Sequence, residues 1–211
     1  IITLNFLHFQ FLMLSNIRMK VFHALITIIV LFMLYIQHEN INTDVSFVTA
    51  NNGLEYLVDN RQTQEEQNKS AELLSIIHQR IQLLKEHVIK NCPEDSKHFI
   101  DRLNDFDVSK ISENTNTSKY TAYSLNKGQE VVFCLRSRKE DGELHKPNLM
   151  MFVALHELAH IISISIGHTK EFYKNFRYLI DESVKLGIYD EHNFSKEPKE
   201  YCGLTITSNP S

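Results

Sequence analysis

Residues 148–163 read NLMMFVALHELAHIIS, and this stretch decides the fold. Leu149, Met150, Met151, Phe152, Val153, Leu155, Leu158, Ile161 and Ile162 make a helix over about 148–163 apolar almost all the way round, so it is expected in the core. Three ionisable residues, His156, Glu157 and His160, interrupt that surface. Buried without partners, they would cost on the order of several kcal/mol. Positions i and i+4 share one helix face, so both imidazoles can reach one Zn²⁺, while the glutamate at i+1 lies on the shoulder where an attacking water would sit. The competing reading, two core histidines hydrogen-bonded to backbone or to a glutamate, needs a separate partner for each group, whereas one metal serves all three.

Upstream, Tyr120–Leu125 and Glu130–Leu135 are β-branched or aromatic runs joined by Asn126-Lys127-Gly128, the pattern of a hairpin. Arg136–Pro147 is charged and holds the turn dipeptide Asp141-Gly142; its cluster Arg136, Arg138, Lys139 reads as a solvated turn. Thr63-x-x-Glu66 has capping-box spacing, and Leu73, Leu74, Ile77, Ile81, Leu84 and Val88 continue a long amphipathic helix that Pro93 stops. Leu54, Tyr56 and Val58 suggest a short strand, and 94–118 reads as a loop-rich connection with a short helix near Phe99–Leu103. Downstream, a helix from about Lys170 to Leu186 ends at Gly187. This order describes an α+β domain over residues 53–211, with a small sheet, a hairpin and a buried HExxH helix.

The chain has 211 residues, 43% hydrophobic and 23% charged, which excludes a disordered or coiled-coil protein. Its 22 basic and 26 acidic residues leave a net charge of −4, which argues against a nucleic-acid partner. Cys92, Cys134 and Cys202 lack C-x-x-C spacing, which excludes a zinc ribbon and leaves room for one disulfide plus one thiol. Val21–Ile36, VFHALITIIVLFMLYI, follows Arg18 and Lys20. Residues 1–36 therefore read as an N-terminal hydrophobic segment, with Met19 a candidate start, and 37–52 as a polar linker. No A-x-A pattern follows, so a signal anchor is expected rather than a cleaved signal, with the N-terminus cytoplasmic and the domain across the membrane. Asn68, Asn116 and Asn193 begin N-glycosylation sequons that matter if the domain is lumenal.

The stretches VVFCLRSR, LMMFVALHELAHI and GHTKEFYKNF resemble the zinc-metallopeptidase core of the WLM family and its SprT-like relatives, over roughly residues 129–180. The resemblance implies a zincin-like fold and hydrolysis of a peptide or protein substrate. It also implies one zinc on His156, His160 and His168, with Glu157 as general base. On a continuous helix His168 would lie about 12 Å from His160 along the axis, too far to share a metal. The helix must end early, as Ile162-Ser163-Ile164-Ser165-Ile166-Gly167 favours; Glu171 and Glu182 stay open as competing ligands. Val131–Arg136 is the candidate strand for binding an extended substrate. Tyr173, Tyr178, Tyr189 and Tyr201 are candidate oxyanion stabilisers that the sequence does not separate. The alternative is a non-catalytic zinc-binding or interaction module closed by Cys202 as an extra ligand; Glu157, which a structural site does not need, weighs against it.

Overall fold

The computed structural model describes residues 18–36, 44–91, 97–115, 120–139 and 142–210. The chain divides into two units, residues 1–43 and 44–211. In the first, helix α1 (Arg18–Ile36) has 19 residues and buries none of its apolar surface. At about 1.5 Å per residue it is roughly 28 Å long, close to a hydrocarbon core of about 30 Å. It begins three residues before the apolar run that marks it in the sequence. The two polar side chains within its apolar run bond to its own backbone, His23 Nδ1 to Met19 O at 2.6 Å and Thr27 Oγ1 donating to His23 O at 2.9 Å. The rest of the hydrophobic segment and the first part of the linker, 1–17 and 37–43, lie outside the described residues.

In the second unit, β1 (Val45–Thr49) pairs antiparallel with β2 (Glu55–Asp59), Phe47 opposite Leu57. The linker read over 37–52 is thereby corrected: 45–49 is a strand, with Val48 buried and Ser46 Oγ donating to Gln67 Oε1 at 3.1 Å. Helix α2 (Gln64–Asn91) opens on the expected capping box, Thr63 N donating to Glu66 Oε2 at 3.0 Å and Glu66 N to Thr63 Oγ1 at 3.3 Å. Its Leu73, Leu74, Ile77, Ile81, Leu84 and Val88 are all buried.

After α3 (Lys97–Asp105) come β3 (Ile111–Glu113), β4 (Ala122–Leu125) and β5 (Glu130–Phe133), which form one sheet in the order β3-β5-β4. Strand β3 is parallel to β5 and β4 is antiparallel to it. Two expectations change here. The loop-rich connection contains β3, a strand too short for its alternation to register and built partly from buried Ser112 and Glu113. Val131–Arg136 is not a free strand for substrate either, because β5 has partners on both edges; the exposed edge belongs to β4.

Helix α4 (Pro147–Ile162) packs against α2, α3, β4 and α5 (Lys170–Lys185), which accounts for its nearly continuous apolar surface. Leu186 caps α5 and Gly187 follows at φ 66°. A last hairpin, β6 (Lys199–Tyr201) and β7 (Leu204–Ile206), forms a separate two-stranded sheet. Arg136 is not a solvated turn residue: its Nε donates to Gln62 Oε1 at 2.9 Å and its NH2 to Glu66 O at 2.8 Å, fastening the end of β5 to the start of α2.

Candidate metal and catalytic site

The one-turn spacing on α4 sets His156 above His160, and the chain then leaves the helix at Ser163, whose extended backbone (φ −77°, ψ 139°) ends it. Gly167, at φ 83°, turns the chain back, and Thr169 caps α5 by accepting from Phe172 N. His168 lies between these two. Its Nε2 is 3.1 Å from His156 Nε2 and 3.2 Å from His160 Nε2, and His156 and His160 are themselves 3.2 Å apart at Nε2. The distance along the axis that a continuous helix would impose is removed by this early exit.

Three nitrogens so spaced can each be about 2.0–2.1 Å from a single point, at angles of about 100°, close to what tetrahedral zinc requires. The protonation states fit as well. Burial first, then the neighbouring His160 and His168, pushes His156 down to about 3; burial, then His168 and Lys127, pushes His160 down to about 4. Both rings are therefore neutral at ordinary pH. With Nε2 turned inward as acceptor, the proton is assigned to Nδ1. Lone pairs converging without a donor between them repel, and a cation that takes all of them removes the repulsion; an all-imidazole donor set suits zinc. Phe172 braces the rings, its centroid 4.3 Å from that of His160, 4.7 Å from His168 and 4.9 Å from His156. Among the described residues no other group of three His, Cys, Asp or Glu side chains converges in this way.

Glu157 is buried, and desolvation pushes its carboxyl up to about 7. It opens with His156 and His168 on a cleft of about 460 Å³. Thr121 and Ala122, at the start of edge strand β4, form one wall, and Tyr201 and the segment 204–210 form another. Antiparallel pairs alternate in which groups face the partner strand. Thr121 O accepts from Cys134 N at 2.7 Å, so Ala122 and Ser124 direct their main-chain groups away from β5.

The competing ligands are engaged elsewhere. Glu171 accepts from Ile164 N at 2.7 Å and from Ser165 N at 3.0 Å and Oγ at 2.6 Å, holding the turn itself. Glu182 binds His87 Nε2 at 2.7 Å and Lys185 Nζ at 2.6 Å. The tyrosines separate too. Tyr178 packs on Phe99 and Tyr189 on Phe152, whereas Tyr173 and Tyr201 line the cleft. Tyr201 donates to Thr121 O at 3.3 Å, and burial with the charge of Glu157 raises its phenol above the ordinary value. Cys202 is joined to Cys134 in a disulfide, Cα to Cα 6.3 Å, so its sulfur is not a free thiolate and a fourth ligand of that kind is lost. Reasoning from sequence missed Thr121 and Ala122 as cleft residues; their only signal is a place at the start of the first strand of the hairpin that precedes α4.

The WLM domain profile matches residues 55–210, which includes every residue of this site. The chain belongs to the WLM family. That membership supports a metalloprotease-like function for the domain. Among proteins similar to this WLM chain is "Uncharacterized protein R325" of Acanthamoeba polyphaga mimivirus, 40% identical over 155 residues that cover 72% of this chain and 76% of that one. "Uncharacterized protein 136R" of Invertebrate iridescent virus 6 is 36% identical over 84 residues, covering 38% and 44% of the two chains. "Uncharacterized protein 042R" of Invertebrate iridescent virus 3 is 36% identical over 104 residues, covering 48% and 58%. Among solved structures, Wss1 from Saccharomyces cerevisiae matches with a TM-score of 0.47 and 19% identity, over 62% of this chain and 87% of that one.

Proposed function

We propose that this WLM chain is a membrane-anchored zinc metallopeptidase with a zincin-like core, in which His156, His160 and His168 hold the metal and Glu157 is the general base. One observation carries the reading: three imidazole Nε2 atoms converge at 3.1–3.2 Å beside a buried carboxyl that opens on the same cleft. A zinc ion held there would polarise a substrate carbonyl and make a water acidic near neutral pH. Glu157 would take a proton from the attacking water and pass it to the leaving amine; its burial raises the proton affinity of the carboxyl, which suits both transfers.

An extended peptide or protein segment adds to the free edge of β4, meeting the main-chain groups of Ala122 and Ser124, and so crosses the mouth of the site. The aromatic floor of Phe152 and Phe176 gives the cleft an apolar lining beside the histidines. Residues 1–36 supply the anchor and 44–211, β1 included, the peptidase domain. The disulfide supports placement of the domain on an oxidising side of the membrane, opposite a cytoplasmic N-terminus.

The test is Glu157→Gln in the full chain, assayed with zinc on an unfolded protein substrate. The amide keeps the shape and the metal and cannot take a proton, so hydrolysis should fall by about 10²–10⁴ at unchanged zinc content. Activity within a few-fold of the parent chain would overturn the assignment of the base.

A further inference from the structure

The turn that delivers His168 has a polar problem of its own. A helix ends with four carbonyls that lack intrahelical donors, and a chain doubling back within five residues adds more. Ala159 O accepts from Ser163 N at 3.1 Å and Ser163 Oγ at 2.6 Å. The amides of Ile164 and Ser165 are taken by Glu171. Of the other carbonyls, those of His160, Ser163 and Ser165 all accept from one ammonium group: Lys127 Nζ donates to His160 O at 2.9 Å, Ser163 O at 2.9 Å and Ser165 O at 3.0 Å. An ammonium carries three protons, so each carbonyl takes one.

Lys127 is not held there by its own flexibility. It occupies the turn between β4 and β5, where Asn126 (φ 44°) and Lys127 (φ 60°) are both left-handed and Gly128 N donates to Leu125 O at 3.0 Å, as a type I′ turn requires. The next residue, Gly128, is pressed against α4 so closely that a Cβ there would lie 3.2 Å from Ile161 Cδ1 and 3.1 Å from Phe106 Cδ2. The hairpin tip is thus docked on the last turn of the ligand-bearing helix, and its lysine reaches round the end where the helix dipole is negative.

We propose that Lys127 is a positioning residue for the metal site: its ammonium joins the main chain of His160, the second ligand, to the turn that brings in His168, the third. The carbonyls it bridges belong to a ligand residue, the residue that ends the helix and the residue three before the next ligand. Releasing them lets the turn open and His168 swing away, while His156 and His160 stay on their helix. Arg102, donating to Ser163 O at 2.9 Å, holds one of the same carbonyls but does not reach Ser165. The proposal rests on the histidines being a metal site.

The test measures zinc dissociation constants by competition with a chromophoric chelator for the full chain in detergent, beside Lys127→Met, Lys127→Gln and Lys127→Arg, with the thermal midpoint of each metal-free protein. Lys127→Met is expected to weaken zinc by about tenfold or more, the range for removing a group that orients a ligand. Lys127→Arg, which restores charge and several donors, is expected to recover most of the affinity. If Lys127→Met does not fold, the milder Lys127→Gln, with one amide donor group, must show the weakening instead. A midpoint lowered with zinc affinity unchanged in the folded variants would overturn the proposal, because Lys127 would then be only a helix cap. An unsubstituted chain that binds no zinc would overturn the metal reading, and this proposal with it.

Discussion

Breaking the bond between Cys134 and Cys202 should loosen one wall of the cleft and lower the stability of the whole domain. The bridge joins the end of β5 to the turn of the β6–β7 hairpin, residues separated by 68 positions. A closed loop of that length removes about 4 kcal/mol of chain entropy from the unfolded state at 25 °C, a figure that treats the native geometry as unchanged. For a domain of this size each kcal/mol moves the midpoint by about 2–4 °C, so reduction should lower it by about 8–16 °C. The effect should also be local. The hairpin pairs with no other strand among the described residues, and an isolated two-stranded hairpin is marginal in water. It carries Tyr201 and the segment that lines the cleft, so kcat/KM should fall on reduction even well below the midpoint. The assay is thermal unfolding of the full chain in detergent with and without a phosphine reductant, beside Cys134→Ser with Cys202→Ser. Thiol titration in denaturant should find one free thiol before reduction and three after. Three free thiols before reduction, or a midpoint that reduction does not move, would refute the reasoning.

Gly128→Ala forces a Cβ to 3.1–3.2 Å of Phe106 and Ile161 at a backbone φ of 103°, and should cost about 1–3 kcal/mol in a denaturant titration; an unchanged midpoint would show the hairpin tip is not docked. In metal-free protein Glu157 titrates at about 7 when folded against about 4.3 unfolded, so its favourable contribution is complete below about pH 4.3 and is lost as pH rises through 7. Glu157→Gln should therefore gain on the parent chain by about 2–3 kcal/mol between pH 5 and pH 8, read from chelated samples at both values, and a constant difference would contradict the burial of a titrating carboxyl. The full chain should stay with membranes after alkaline carbonate extraction because of α1, and release into the supernatant would count against the anchor.

What could be read in advance follows the range of the interactions. Helices α2, α4 and α5 carry their signals locally, in a capping box, a nearly all-apolar run and a terminal glycine, and each lies within a residue or two of its expected place. His156, Glu157 and His160 were legible because helical spacing alone brings them together. His168 was legible only as a candidate, since the turn before it is bonded by Lys127, Arg102 and Glu171, which come from three other elements. Strands β2, β4 and β5 lie where their local runs put them, but the order of the sheet was hidden for the same reason. Nothing within Ile111–Glu113 announces a parallel partner twenty residues on, so β5 could not be recognised as the central strand and β4 as the edge. Arg136 stands in a run of charged residues, and its partners Gln62 and Glu66, just before and at the start of α2, lie some seventy positions away, so a local reading makes it solvated.

The account stands on the three histidines binding one metal, and zinc content by mass spectrometry of the full chain beside His168→Ala addresses that directly. The prediction is about one zinc per folded chain, with most of it lost in His168→Ala although His156 and His160 remain. Full zinc occupancy in folded His168→Ala, or none in the zinc-supplemented parent chain, would contradict it.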